Sequence, residues 1–167
     1  MVSTGTGAVN VPPVRRQQLE YQEQVSFVDW CEYQYFTHTG DDGRTIRMCL
    51  RDVLEASLNG AHLNGNQKQR ASAWQKQKRA GARKSAPDIS INYPVGKYHG
   101  LKIEMKKRRE DYPSPSAIRN AIKPGQAEYL NLLSRFGFCT CVAYGWVEAA
   151  IATCNYFGWD PKSLGLC

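Results

Sequence analysis

A chain of 167 residues is one ordinary domain with enough length for a real core, and its 22 lysines and arginines against 15 aspartates and glutamates leave a net charge of +7, suited to a polyanion such as nucleic acid. No stretch is long and apolar enough to span a bilayer, and the N-terminus lacks a basic segment followed by an apolar one, so the expectation is a soluble, intracellular protein. Six cysteines contain no CxxC pair, and the three histidines are scattered, which points to reduced, buried thiols rather than a disulfide scaffold or zinc.

In chain order, residues 1–13 are rich in Gly, Val, Thr and Pro without periodicity and read as a loose tail. Residues 14–35 read as an amphipathic helix with Tyr21, Val25, Val28 and Tyr35 near one stripe, while Glu20 and Gln24 share a face. Gly40-Asp41-Asp42-Gly43 turns the chain, and residues 53–58 read as a short strand leading into an Asn59-Gly60 turn. Residues 66–80 lack β-branched side chains and are rich in Gln, Lys, Arg and Ala, which predicts a helix with a basic face. Residues 88–93 and 101–106 alternate around Pro94-Val95-Gly96-Lys97, the pattern of a β-hairpin. Pro113-Ser114-Pro115-Ser116 then breaks the chain, and Pro124 opens a helix that runs to Phe136, before Gly137. An apolar strand over 138–144, a helix over 146–157 and a short tail over 159–167 complete the reading. The fold class is α/β: one domain over 14–158, in the order α, β, α, β, β, α, β, α, with a mixed central sheet flanked by helices.

The hairpin carries the chemistry. Centred on Gly96, it pairs Ile91 with Leu101, Ile89 with Ile103 and Asp88 with Glu104. Because successive side chains point to opposite faces, the isoleucines, Leu101 and Met105 share one face, and Asp88, Glu104 and Lys106 share the other. Two carboxylates that close repel unless a cation sits between them, and hard oxygen ligands favour Mg²⁺ or Mn²⁺.

Pro87-Asp88, a gap, then Glu104-Met105-Lys106 resembles the signature of the PD-(D/E)XK nucleases. With the flanking Gly81 to Ile89, Tyr98 to Lys106, Pro124-Gly125-Gln126 and Val142 to Trp146, the chain resembles the VRR-NUC branch of that superfamily, especially its small stand-alone phage forms, from about Glu20 to Phe157. Ser85 departs from the glycine common before Pro-Asp in that family. The resemblance implies a restriction-endonuclease-like core in which Asp88 and Glu104 hold the catalytic Mg²⁺ or Mn²⁺, with the Met105 carbonyl as a further ligand. Lys106 would orient the attacking water or stabilise charge on the phosphate; the alternative is an exposed lysine at the head of the basic run 107–109. Glu20 matches the family's first-helix acid, which completes the site and helps hold a second metal, though Glu23 lies three residues on. Gln126 matches a glutamine whose amide reaches the site, and Asn59-Gly60 a turn beside it.

Lys76, Arg79, Arg83 and Lys84 form one basic stretch and Lys107 and Arg108 open another, both expected to contact phosphates without reading bases. The function that follows is a metal-dependent, structure-selective DNA endonuclease in replication, recombination or repair. The resemblance implies branched DNA, four-way junctions included, and a homodimer; phage encoding would place it in the host cytoplasm. A catalytically silent DNA-binding accessory protein is the alternative, and an RNA-cleaving enzyme a third.

Overall fold

A computed structural model of the chain describes residues 13–57, 67–83 and 85–166. Helix α1 spans Pro13–Cys31 and leads into a two-stranded ribbon, β1 (Tyr35–Thr39) and β2 (Thr45–Cys49). After a 3₁₀ turn come β3 (Leu54–Ala56), α2 (Gln67–Arg79), β4 (Ile89–Ile91) and β5 (Leu101–Lys106). A short α3 (Pro115–Arg119), α4 (Pro124–Arg135), β6 (Cys139–Tyr144) and α5 (Trp146–Phe157) follow. The main sheet has the order β3-β4-β5-β6, antiparallel except for the parallel β5–β6 pair. Parallel neighbours need a crossover connection, and α3 and α4 supply it.

The expected hairpin forms in the expected register, with Ile89 opposite Ile103 and Ile91 opposite Leu101. These four residues and Met105 are buried in one core cluster with Phe27 of α1 and Ala149, Ala150 and Cys154 of α5. That apolar face anchors the sheet. The opposite face carries Ser90, Lys102, Glu104 and Lys106, and α4 reaches it through Gln126.

Helix α1 differs from the expected residues 14–35. It ends at Cys31, where the Gln34 side chain donates to the Trp30 carbonyl at 3.2 Å, and Tyr35 begins a strand instead. The expected apolar stripe is also rotated: Tyr21 is 59% exposed, whereas Glu23, Phe27 and Cys31, spaced by four, form the buried line. Around the expected turn at Gly40–Gly43, Gly40 and Arg44 are hydrogen-bonded, but the flanking β1–β2 pairing has no counterpart in the sequence reading. The strand read over 53–58 is shorter, and Asn59-Gly60 lies outside the described residues, as does the expected tail up to residue 12. At the other end, the segment read as a tail forms a 3₁₀ turn at Pro161–Leu164 and buries Leu166 in the core.

Candidate active site

The polar face of β5 places Glu104 and Lys106 two residues apart on one side of the sheet, Glu104 1% and Lys106 5% exposed. The Lys106 Nζ sits 2.7 Å from Glu104 Oε1. Asp88 falls one residue outside the β4 ladder, and its carboxylate turns back to accept the Met105 N–H at 2.8 Å through Oδ2. The backbone of the same residue is held as well, because its carbonyl accepts the Ser57 N–H at 2.8 Å. Gln126, in the first turn of α4, uses both ends of its amide: Nε2 donates to Glu104 Oε1, and Oε1 accepts the Lys123 N–H at 3.1 Å. So the hairpin and α4 bring together Asp88, Glu104, Met105, Lys106 and Gln126.

The electrostatics of this group are strained. Burial pushes the Glu104 carboxyl up to about 7, Asp88 pushes in the same direction, and the Lys106 ammonium only partly opposes them. Asp88 is raised too, by burial first, against the pull of Lys106, the Met105 amide and the neighbouring Glu104 carboxyl. Burial alone would lower Lys106, but the Glu104 carboxylate, with Glu20 and Asp88 behind it, more than offsets that and holds the ammonium charged. Glu104 Oε2 is buried and accepts no hydrogen bond. Such an orphaned anionic oxygen is costly without a positive partner. The donor set fits a hard divalent cation: Mg²⁺ takes one or two protein carboxylates and completes its shell with water and phosphate oxygens.

The two acids of α1 part company. Glu20 faces the cluster: burial raises its carboxyl, Lys106 and Lys123 pull it down, and Asp88 pushes it up. It does not join Asp88 and Glu104 at one point, since among the described residues no three His, Cys, Asp or Glu side chains converge on an ion-sized position. Glu23, 7% exposed, points elsewhere. Its Oε1 accepts Arg108 Nε at 2.7 Å and its Oε2 the Trp146 N–H at 2.9 Å, tying α1 to the chain after β5 and to the start of α5. Gly145 makes room for this lock: its φ is +90°, and an added Cβ would meet Arg108 Cγ at 3.0 Å and Glu23 Oε2 at 3.3 Å. Sequence reading left Glu20 and Glu23 as alternatives because the partners that separate them lie 85 and 123 residues away.

The expected phosphate-contacting residues also divide. Lys76 and Arg79 are exposed on α2, and Arg83 is exposed with its guanidinium 4.6 Å from the centre of the Tyr129 ring. Lys84 lies outside the described residues. Lys107 is a correction: it is 2% exposed, donates to the Asp111 carbonyl and stands 4.3 Å from the Tyr112 ring centre, so its charge serves the interior. Arg108 remains half-exposed but is committed to Glu23.

No family model matches the chain, and no curated protein matches it. Among solved structures, a chain described as a VRR_NUC domain protein is similar to this one with a TM-score of 0.58 at 26% identity, the likeness covering 86% of this chain and 93% of that chain. The mixed sheet flanked by helices is thus similar to that of a VRR_NUC domain structure.

Proposed function

We propose that this protein is a nuclease of the VRR-NUC kind: a divalent-metal-dependent endonuclease that hydrolyses phosphodiester bonds in branched DNA. The observation that carries the reading is Glu104, a buried carboxylate beside Asp88 with one oxygen orphaned and the other paired with Lys106. The likeness to a VRR_NUC domain protein supports it. Asp88, Glu104 and the Met105 carbonyl would hold Mg²⁺ or Mn²⁺, which polarises a phosphate and lowers the pKa of a bound water. Lys106 keeps a positive charge where negative charge develops on the phosphate, and its short bond to Glu104 fixes where that charge stands. Gln126 fixes Glu104 from the α4 side, so the carboxylate is oriented before substrate arrives. Glu20 sets the local charge balance by drawing on Lys106 from α1. Lys76, Arg79 and Arg83, all exposed, would grip phosphates and supply affinity without base reading. A homodimer would present paired sites to a four-way junction, matching its two-fold symmetry.

The test is incubation of the protein with linear, flap and four-way-junction DNA in Mg²⁺, Mn²⁺ or EDTA, beside Glu104→Gln and light scattering. The reading expects metal-dependent cutting that favours branched DNA, a dimer in solution, and a Glu104→Gln variant that binds DNA within a few-fold of wild type but does not cut. Wild-type cutting by that variant, or in EDTA, would overturn the assignment.

A further inference from the structure

On the polar face of the sheet, a cavity of about 690 Å³ opens between the end of α2, strands β3 to β5, and α4. Its size is that of a site for a drug-sized ring system. The cavity adjoins the acidic cluster through two elements. Lys102 on its wall sits two residues before Glu104 on the same face of β5, a step of about 6.6 Å. Tyr129 lies three residues after Gln126, hence on the same side of α4. Two aromatic rings line the cavity, and each carries a cation: Arg83 stands 4.6 Å from the Tyr129 ring centre, and Lys102 Nζ 4.9 Å from that of Phe138. Glu55, the acid on its wall, is occupied by Asn92, whose side-chain oxygen in turn accepts from Lys102, both at 3.0 Å.

Apolar walls, aromatic rings and flanking cations are what an unstacked base of a polyanionic strand seeks: ring faces and guanidinium planes to stack on, and positive charge for its phosphates. A paired base offers neither face, because both are covered within the duplex. We propose that this cavity receives an unpaired nucleobase of the DNA strand whose phosphate lies at Glu104. The inference rests on the nuclease reading above and names its substrate class, DNA with an unpaired nucleotide beside the cut. It also gives branched DNA a physical basis for preference, since the cost of unstacking is lowest where pairing is already broken.

The experiment measures binding by fluorescence anisotropy in EDTA, with the full chain and two duplexes of equal length, one fully paired and one with a single bulged nucleotide. Wild type binds the bulged duplex at least about fivefold more tightly, the low end of what stacking one base on an aromatic contributes. Tyr129→Ala abolishes that preference and leaves affinity for the paired duplex within about twofold, while Tyr129→Phe retains it. Ala82→Trp, which fills the cavity from the loop after α2, provides a second route to the same loss without a substitution in α4. A wild type without preference, or variants that weaken both duplexes equally, would overturn the proposal. Because no ion is present, cutting plays no part in the readout. A protein that prefers the bulge yet never hydrolyses DNA in Mg²⁺ upholds the cavity and refutes the nuclease, and one that hydrolyses DNA without the preference does the reverse.

Discussion

Glu20 and Glu23, one turn apart on α1, should respond to the same substitution in opposite ways. Glu23 is a buried anion with two donors, Arg108 Nε at 2.7 Å and the Trp146 N–H at 2.9 Å. Glu23→Gln can accept from only one of them and turns an amide toward the other. A hydrogen bond to a charged group contributes about 1.5–3 kcal/mol, and because Arg108 is half-exposed its share lies at or below the low end. The expected loss is about 2 kcal/mol, or about 4–8 °C in Tm for a chain of this size. Glu20→Gln should go the other way. Burial raises the Glu20 carboxyl in the folded state, so its contribution to stability is present below its ordinary value of 4.5 and is lost as pH rises past the folded value. At pH 7.5 the neutral amide removes that cost, so Glu20→Gln should be as stable as wild type or more so, while cleavage falls. Urea unfolding of both variants at pH 7.5, with a double-mutant cycle for Glu23 and Arg108→Ala, checks the argument. A coupling near zero in the cycle, or a Glu20→Gln variant as destabilised as Glu23→Gln, would refute the division of roles.

Further expectations follow from the same geometry. Lys106→Ala should still bind metal by calorimetry yet cut DNA at least about tenfold more slowly, through loss of the charge beside the phosphate; unchanged turnover would reduce Lys106 to a structural partner of Glu104. Lys76→Ala with Arg79→Ala should weaken binding to all DNA sequences alike and reduce the slope of log affinity against log salt by about 2, whereas Lys107→Ala should lower Tm and leave that slope unchanged. In EDTA, the stability of wild type relative to Glu104→Gln should fall as pH rises from 5 to 8. A carboxyl raised from 4.5 to about 7 gives up about 3 kcal/mol over that passage at 1.36 kcal/mol per unit, so a flat difference in urea midpoint would contradict it.

What could be read from the sequence was local. The hairpin register follows from alternation on either side of Gly96, and once it is right, the burial of Ile89, Ile91, Leu101, Ile103 and Met105 and the grouping of Glu104 with Lys106 follow from the pleat. Strand β6 and helix α5 were equally legible, because Gly137, Gly145 and Gly158 all have positive φ and mark the breaks. What failed depended on partners distant in sequence. A glutamate on the buried line of α1 contradicts hydrophobic patterning unless Arg108 and the Trp146 amide are known to meet it. Lys107 looks like one of four consecutive cations, and only the fold of the chain after β5 brings Tyr112 and the Asp111 carbonyl to its ammonium. The β1–β2 ribbon was missed for a different reason: each strand has five residues, Tyr35 continued the helical period, and Arg44 and Arg47 interrupt the apolar signal.

The two faces of β5 explain why a cluster so unfavourable in isolation can persist. Burying Glu104, Asp88 and Lys106 costs desolvation, which outweighs the attraction of Lys106 for both carboxyls, and one Glu104 oxygen is left without a donor. The compensation lies on the reverse of the same strand, where Ile103 and Met105, 0% and 1% exposed, pack into the core with Phe27, Ala149 and Ala150. Side-chain alternation makes the two inseparable: each residue that anchors the strand fixes a neighbour that faces the cleft. The Glu23 lock adds a restraint just past the end of the strand, from Arg108 to α5. The charged groups therefore cannot relax apart without disturbing the core, and that rigidity is what a preorganised site for a cation and a phosphate requires.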